Sequence, residues 1–170
     1  LRMGIGGGIF KTIMESERAG NPRPRIQEIT VDGQKSLINA MGLPGKGIQT
    51  FLKEVSQSSL FRYKVPLGVS IGGNNADEYA RIIQQLDSTL KEASTFYELN
   101  LSCPNIQNIN SHDENLKLLK EILDRVRPKT DRVMSIKVSP DLSNEELGTY
   151  CEVIRTYKKM VINLGNTTFR

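Results

Sequence analysis

Two hydrophobic periods alternate along this chain, and that alternation limits the folds open to it. Short apolar runs of strand length recur at Pro66–Ile71, Phe96–Leu101, Val133–Val138 and Lys158–Leu164. Between them lie segments whose apolar residues fall at helical spacing. One runs through Tyr79, Ile82, Ile83, Leu86 and Leu90, a second through Leu116, Leu119, Ile122, Leu123 and Val126, and a third through Leu147, Tyr150, Cys151 and Ile154. Upstream, Ile5–Ile13 reads as a strand running into a loop, Gly20-Asn-Pro-Arg-Pro-Arg25 as a proline-punctuated connection, and Gly47–Ser58 as an amphipathic helix. Start signals support the helices: Asp77 and Glu78 suit a first turn, and Ser111–Glu114 and Ser143–Glu146 have the capping-box pattern. Strands that alternate with helices of this length predict βαβ units and a parallel sheet of about five strands in a single domain. A complete (β/α)8 barrel takes about 250 residues. With 170 residues, the chain is expected to form either a small open α/β domain or an incomplete barrel.

Composition narrows the function classes. The net charge is +4, its basic residues are dispersed, and aromatic residues make up 6%, so nucleic-acid binding is a weak reading. No run approaches the roughly 20 apolar residues of a membrane helix, and the glycine-rich start does not resemble a signal peptide. A cytoplasmic protein without membrane association is expected. The chain begins with Leu rather than Met, which suggests a trimmed or partial stretch. Its two cysteines, Cys103 and Cys151, form no disulfide framework, and no His, Cys or carboxylate cluster has metal-ligand spacing. Asn100-Leu-Ser and Asn166-Thr-Thr read as chance glycosylation matches. Gly4, Gly6, Gly7 and Gly8 fit neither the dinucleotide fingerprint nor a P-loop, and read as permitting close backbone approach. Cys151 is expected in the core and His112 at the surface.

In a parallel α/β fold, ligands bind at the carboxyl ends of the strands. The residues at those ends are Lys11-Thr12, then Ser70 with Gly72-Gly73, then Asn100, Ser102, Cys103 and Asn105, then Lys137, then Gly165-Asn166-Thr167-Thr168. Amides, hydroxyls, lysines and a thiol thus gather at one rim, where they suit a flat polar ligand carrying negative charge. On its own, Cys103 is either a small buried residue or a nucleophile or base. No His lies near it in sequence, which argues against a Cys–His nucleophile pair. A lone thiol suffices to accept a C–H proton, because a free Cys titrates roughly one to two units above neutrality. Lys137, inside an apolar strand, is a side chain reaching to solvent, a Schiff-base lysine, or a cation facing an anionic cofactor.

Asn100-Leu-Ser-Cys-Pro-Asn105 resembles the active-site loop of dihydroorotate dehydrogenases. So do Gly20–Arg25, Ile38-Asn-Ala-Met-Gly-Leu-Pro44, Pro66-Leu-Gly-Val-Ser-Ile-Gly72, Ile136-Lys-Val-Ser-Pro-Asp-Leu142 and Asn166-Thr-Thr168, in the family's order. The resemblance implies the (β/α)8 TIM-barrel family, here as an incomplete barrel, and oxidation of dihydroorotate to orotate on FMN in pyrimidine biosynthesis. It implies Cys103 as the base at C5, with a hydride passing from C6 to the flavin. Asn39, Asn100, Asn105 and Asn166 resemble the substrate-holding amides, with Thr167 beside them. Met41, Gly42 and Leu43 resemble backbone contacts to substrate. Lys11 and Lys137 resemble lysines against the flavin, Ser70 and Asn100 resemble flavin contacts, and Arg25 an arginine that supports the mobile loop. A Cys base resembles the soluble class, whereas Ser135-Ile-Lys-Val-Ser-Pro-Asp-Leu142 is more similar to the quinone class. The first barrel strand and the glycine-rich loops for the FMN phosphate fall outside these residues, so a homodimer or a complementary chain that completes the barrel is expected. Two other classes remain open: a Schiff-base lyase or aldolase using Lys137, and a non-catalytic barrel fragment that needs a partner.

Overall fold

The computed structural model describes residues 4–62, 65–91, 95–101 and 112–165. Its elements are β1 (Gly8–Ile13), β2 (Ile26–Val31), β3 (Gln34–Asn39), α1 (Gly47–Ser56), β4 (Leu67–Ile71), α2 (Ala76–Thr89), β5 (Thr95–Asn100), α3 (His112–Val126), β6 (Met134–Lys137), α4 (Asn144–Ile154) and β7 (Met160–Asn163). Five strands pair in the order β1-β4-β5-β6-β7, and every pairing is parallel.

That order never reverses. Right-handed crossovers between strands that always advance in one direction place all their helices on the same face. A doubly wound sheet needs a reversal to cover both faces, so this sheet is an arc of a (β/α) barrel. Its strands divide their side chains accordingly. Val69, Ile71, Tyr97, Leu99, Met134 and Ile136 point outward and share one core with Ile82, Ile83 and Leu86 of α2 and Leu119, Ile122 and Leu123 of α3. The alternate residues Ser70, Glu98, Asn100 and Ser135 are polar, are buried, and face the other way.

The helices start where the sequence signals. Asn75 caps α2 by accepting from the Glu78 backbone N–H at 3.0 Å. Ser143 and Glu146 form a reciprocal capping box on α4, at 3.2 and 2.8 Å. Ser111, expected to cap α3, lies outside the described residues.

One expectation needs correction. Cys151 is exposed rather than in the core, because α4 turns Tyr150 and Ile154 inward and carries Cys151 past the edge of that stripe. His112, expected at the surface, is partly exposed at the start of α3, against α4. Its Nε2 lies 2.7 Å from Thr149 Oγ1, and its ring meets Tyr150 edge-on at 5.4 Å. The antiparallel β2–β3 hairpin is an addition to the expected elements. Asp32 and Gly33 turn it with φ of 49° and 75°, the double positive φ of a type I′ turn.

At the amino ends of the strands, the helical layer is tied to the sheet by a polar knot. Tyr97 Oη donates to Asp87 Oδ1 at 2.6 Å, and Arg132 Nε donates to the same oxygen at 2.8 Å. Arg132 also donates to the carbonyls of Leu90 and Thr95 and lies over the Tyr97 ring. Burial, and then the Asp87 carboxylate, push the Tyr97 phenol well above its ordinary value, so it stays a donor. Removing Arg132 leaves Asp87 and two carbonyls short of partners. Arg132→Met is therefore expected to lower unfolding free energy by about 2–3 kcal/mol, and Tyr97→Phe by about 1 kcal/mol. Urea denaturation checks this, and unchanged midpoints would contradict the role given to the knot.

Candidate active site

The carboxyl ends of the strands carry the polar side chains of the inner face in register. Asn100 on β5 is the Cα partner of Lys137 on β6, which in turn partners Asn163 on β7. Across the other half of the arc, Asn100 Nδ2 donates to Thr12 Oγ1 at 3.1 Å, and Thr12 Oγ1 lies 3.3 Å from Ser70 Oγ. Three adjacent strands thus join through one amide and two hydroxyls. The Asn100 backbone is fixed from the helical side, where Tyr79 Oη of α2 donates to its carbonyl at 3.2 Å.

A register shift between Phe10 and Ile13 makes this possible on β1. Phe10 packs edge-on against Phe51 in the helical layer, at 5.4 Å. The irregularity that follows lets Thr12 meet Ser70 and Asn100 on the inner face. Lys11, in the same irregular stretch, is exposed. Lys137 is half-buried and forms no ion pair among the described residues. Its place in the register puts it beside Asn100 and Asn163 at the rim.

The long connection from β1 to α1 adds a second group of expected residues at the same rim. Asn21 holds the segment after β3 twice: its backbone N–H donates to the Met41 carbonyl at 3.2 Å, and its side chain donates to the Ala40 carbonyl at 3.0 Å. Arg25 accepts from the Ala40 N–H at 2.8 Å and donates through its guanidinium to the carbonyls of Ala19 and Asn21. Arg18 and Gly45 close the base of the loop with a reciprocal pair at 2.8 and 3.0 Å. Met41, Gly42 and Leu43 are thus braced from one side, and the exposed Asn39 precedes them at the end of β3. Arg25, Ile38 and Asn39 line a shallow cavity of about 150 Å³. The observed role of Arg25 is to tie this loop to itself.

The structure therefore assembles Ser70, Asn100 and Lys137 in one row, and Asn39, Met41, Gly42, Leu43 and Arg25 in one braced loop. It does not tie Lys11 to either. Cys103, Asn105, Asn166 and Thr167 lie outside the described residues. Leu101, which precedes the Cys103 segment, still donates its N–H to the Lys137 carbonyl at 3.2 Å. Thr12, expected at a strand end, meets Ser70 and Asn100 there, and Glu98 and Asn163 join the inner face beyond the expected residues. Glu98 carried a signal: it stands two residues before Asn100 in an otherwise apolar strand, and so on the same face.

Close packing makes Gly42 the sensitive point of the braced loop. Its φ is +71°, and a Cβ added there would sit 2.5 Å from the Asn21 backbone nitrogen. Gly42→Ala is expected to cost about 2 kcal/mol, from backbone strain and loss of the Asn21 contacts. Gly148, inside α4, has nothing within 4 Å of the same position. Gly148→Ala is expected to stabilise by about 0.5–1 kcal/mol. Thermal melts of the two variants should shift in opposite directions, and a shared direction would contradict this account.

The family model for dihydroorotate dehydrogenase matches residues 1–170. The catalytic subunit of dihydroorotate dehydrogenase B (NAD(+)) from Endomicrobium trichonymphae is 36% identical over 138 residues, covering 80% of this chain and 42% of its own length. A dihydroorotate dehydrogenase (quinone) from Thermus thermophilus is 28% identical over 169 residues, covering 98% of this chain and 48% of its own. Among solved structures, ligand-free DHODH from Eimeria tenella superposes with a TM-score of 0.74 at 21% identity, over 95% of this chain and 52% of that one. That likeness supports the barrel fold. The chain spans about half the length of the curated relatives it matches. The barrel arc and the match along the whole sequence agree, and the chain belongs to the dihydroorotate dehydrogenase family.

Proposed function

We propose that the complete enzyme oxidises dihydroorotate to orotate on FMN, in the synthesis of pyrimidines, with Cys103 as the base. The observation that supports this most is the hydrogen-bonded row of Thr12, Ser70 and Asn100 beside Lys137, which has no ion pair among the described residues, directly ahead of the Cys103 segment in the sequence. The chemistry of that donor set fits a flavin: hydroxyl and amide groups for the polar edge of a planar ring, and a cation for negative charge on it. Ser70, Asn100 and Lys137 would hold the ring, with Lys11 as a second cation. FMN held there would supply the acceptor for the hydride that leaves C6 of the substrate.

The remaining work falls to side chains and backbone of this chain. Cys103 removes the C5 proton on its sulfur, and Lys137 holds negative charge at the rim. Asn39, Asn100, Asn105 and Asn166, with Thr167, hold the pyrimidine ring and its carboxylate through their amides. The braced Met41-Gly42-Leu43 backbone orients it. The Asn21 and Arg25 contacts set that backbone before substrate arrives, so less ordering entropy is lost on binding.

The reading extends to class and assembly. A Cys in the base position supports the soluble, cytoplasmic class over the quinone class, although relatives of both the NAD(+) and the quinone type match. The arc leaves β1 and β7 as edges among the described strands, and open edges of a parallel sheet favour further strands. The functional unit therefore includes the rest of the barrel, from the same chain or a complementary one, or pairs with a second copy as a homodimer.

The base assignment is tested on the pH profile of the complete enzyme. With a thiol base, dihydroorotate oxidation should rise as pH increases through the thiol range and then level. Cys103→Ser should move that rise to higher pH, because a hydroxyl gives up its proton less readily. Cys103→Ala should lower the rate at neutral pH by about 10²–10⁴-fold, with flavin content retained. An unchanged profile in both variants would overturn the assignment.

A further inference from the structure

Among the described residues, Glu98 is the one buried side chain with a formal charge, at 4% exposure. The functions assigned above do not use it. It lies on the inner face, one level below Asn100, and its Cα partners are Ser70 on β4 and Ser135 on β6. A carboxyl group taken out of water needs hydrogen bonds to offset its desolvation. Glu98 obtains one from across the sheet: Asn163 Nδ2 donates to Glu98 Oε2 at 2.8 Å. The other end of the same amide accepts the Gly165 backbone N–H at 2.9 Å. Both ends of Asn163 are thus committed, donor inward and acceptor toward the turn. Reversing the amide would set its oxygen against the Glu98 carboxyl and its NH2 group against an N–H donor. Gly165 leads directly into Asn166 and Thr167 in the sequence.

We propose that Glu98 is a positioning residue for the substrate site: it orients the Asn163 amide, which fixes the Gly165 backbone from which Asn166 and Thr167 depart. The inference rests on the assignment of those two residues to the dihydroorotate site. Glu98 itself touches no reactant. It acts through β7, whose register with β6 also places Asn163 beside Lys137. Small displacements of groups that hold a reactant can cost about 10²-fold, so a relay of two hydrogen bonds is enough to matter.

The test is a double-mutant cycle in the complete holoenzyme, with orotate affinity measured by calorimetry. Asn163→Asp keeps an acceptor for Gly165 but sets two carboxyl groups against each other, and should weaken orotate binding about tenfold or more. Asn163→Ala removes both hydrogen bonds without adding charge and should weaken it similarly, so a misfolded Asn163→Asp would not end the test. Combining Glu98→Gln with Asn163→Asp restores a donor–acceptor pair of reversed direction, and should bring affinity back to within about threefold of wild type. Folded single variants that bind orotate like wild type would overturn the proposal, even with lowered melting temperatures, as would a double variant as weak as Asn163→Asp. Wild-type protein that binds no orotate would instead overturn the substrate reading, and this inference with it.

Discussion

Everything in this structure depends on a division of labour between the two faces of a parallel strand. Successive side chains point to opposite faces, and the one-directional strand order places the helices on only one of them. Every second residue of β4, β5 and β6 is therefore committed to the helical core. The residues between are released from that duty, and above the level of Gly68 and Phe96 they are Ser70, Glu98, Asn100, Ser135 and Lys137. Burying such groups is costly unless they satisfy each other. The hydrogen bonds among Thr12, Ser70 and Asn100, and between Glu98 and Asn163, meet part of that cost while leaving Lys137 free of an ion pair among the described residues. The same contacts that stabilise the inner face thus give the rim its chemistry.

The two ends of the strands serve different purposes. At the amino ends, Arg132, Asp87 and Tyr97 close a compact network between α2, β5 and the approach to β6. At the carboxyl ends, the chain spends residues on the long β1–α1 connection, whose Asn21, Arg25 and Gly42 brace a loop rather than a core. Stability at one end and an organised, ligand-ready rim at the other is the arrangement expected of barrel enzymes.

Much of this was legible in the sequence because period carries it. The helices through Tyr79–Leu90 and Leu116–Val126 and the strands around Val69, Leu99 and Ile136 follow from spacing alone. Lys137 stood out as a charge in an apolar run. The hairpin is hard to read because Ile26, Ile29, Val31, Leu37 and Ile38 do not alternate cleanly, although Asp32-Gly33 is a strong turn signal. Cys151 was misplaced because a one-residue step along a helix is a rotation of about 100°. The contacts of Thr12, Glu98 and Asn163 are harder to read. Their partners lie 58 to 88 residues away, and the register of the sheet, which local periodicity does not encode, brings them together.

The central claim is that this polar inner rim, in the complete protein, holds a flavin that dihydroorotate reduces. An anaerobic absorbance titration of the purified complete protein tests it most directly. The account predicts yellow protein with flavin bands that bleach stoichiometrically as dihydroorotate is added. Flavin-free protein, or flavin bands that dihydroorotate leaves untouched, would contradict it.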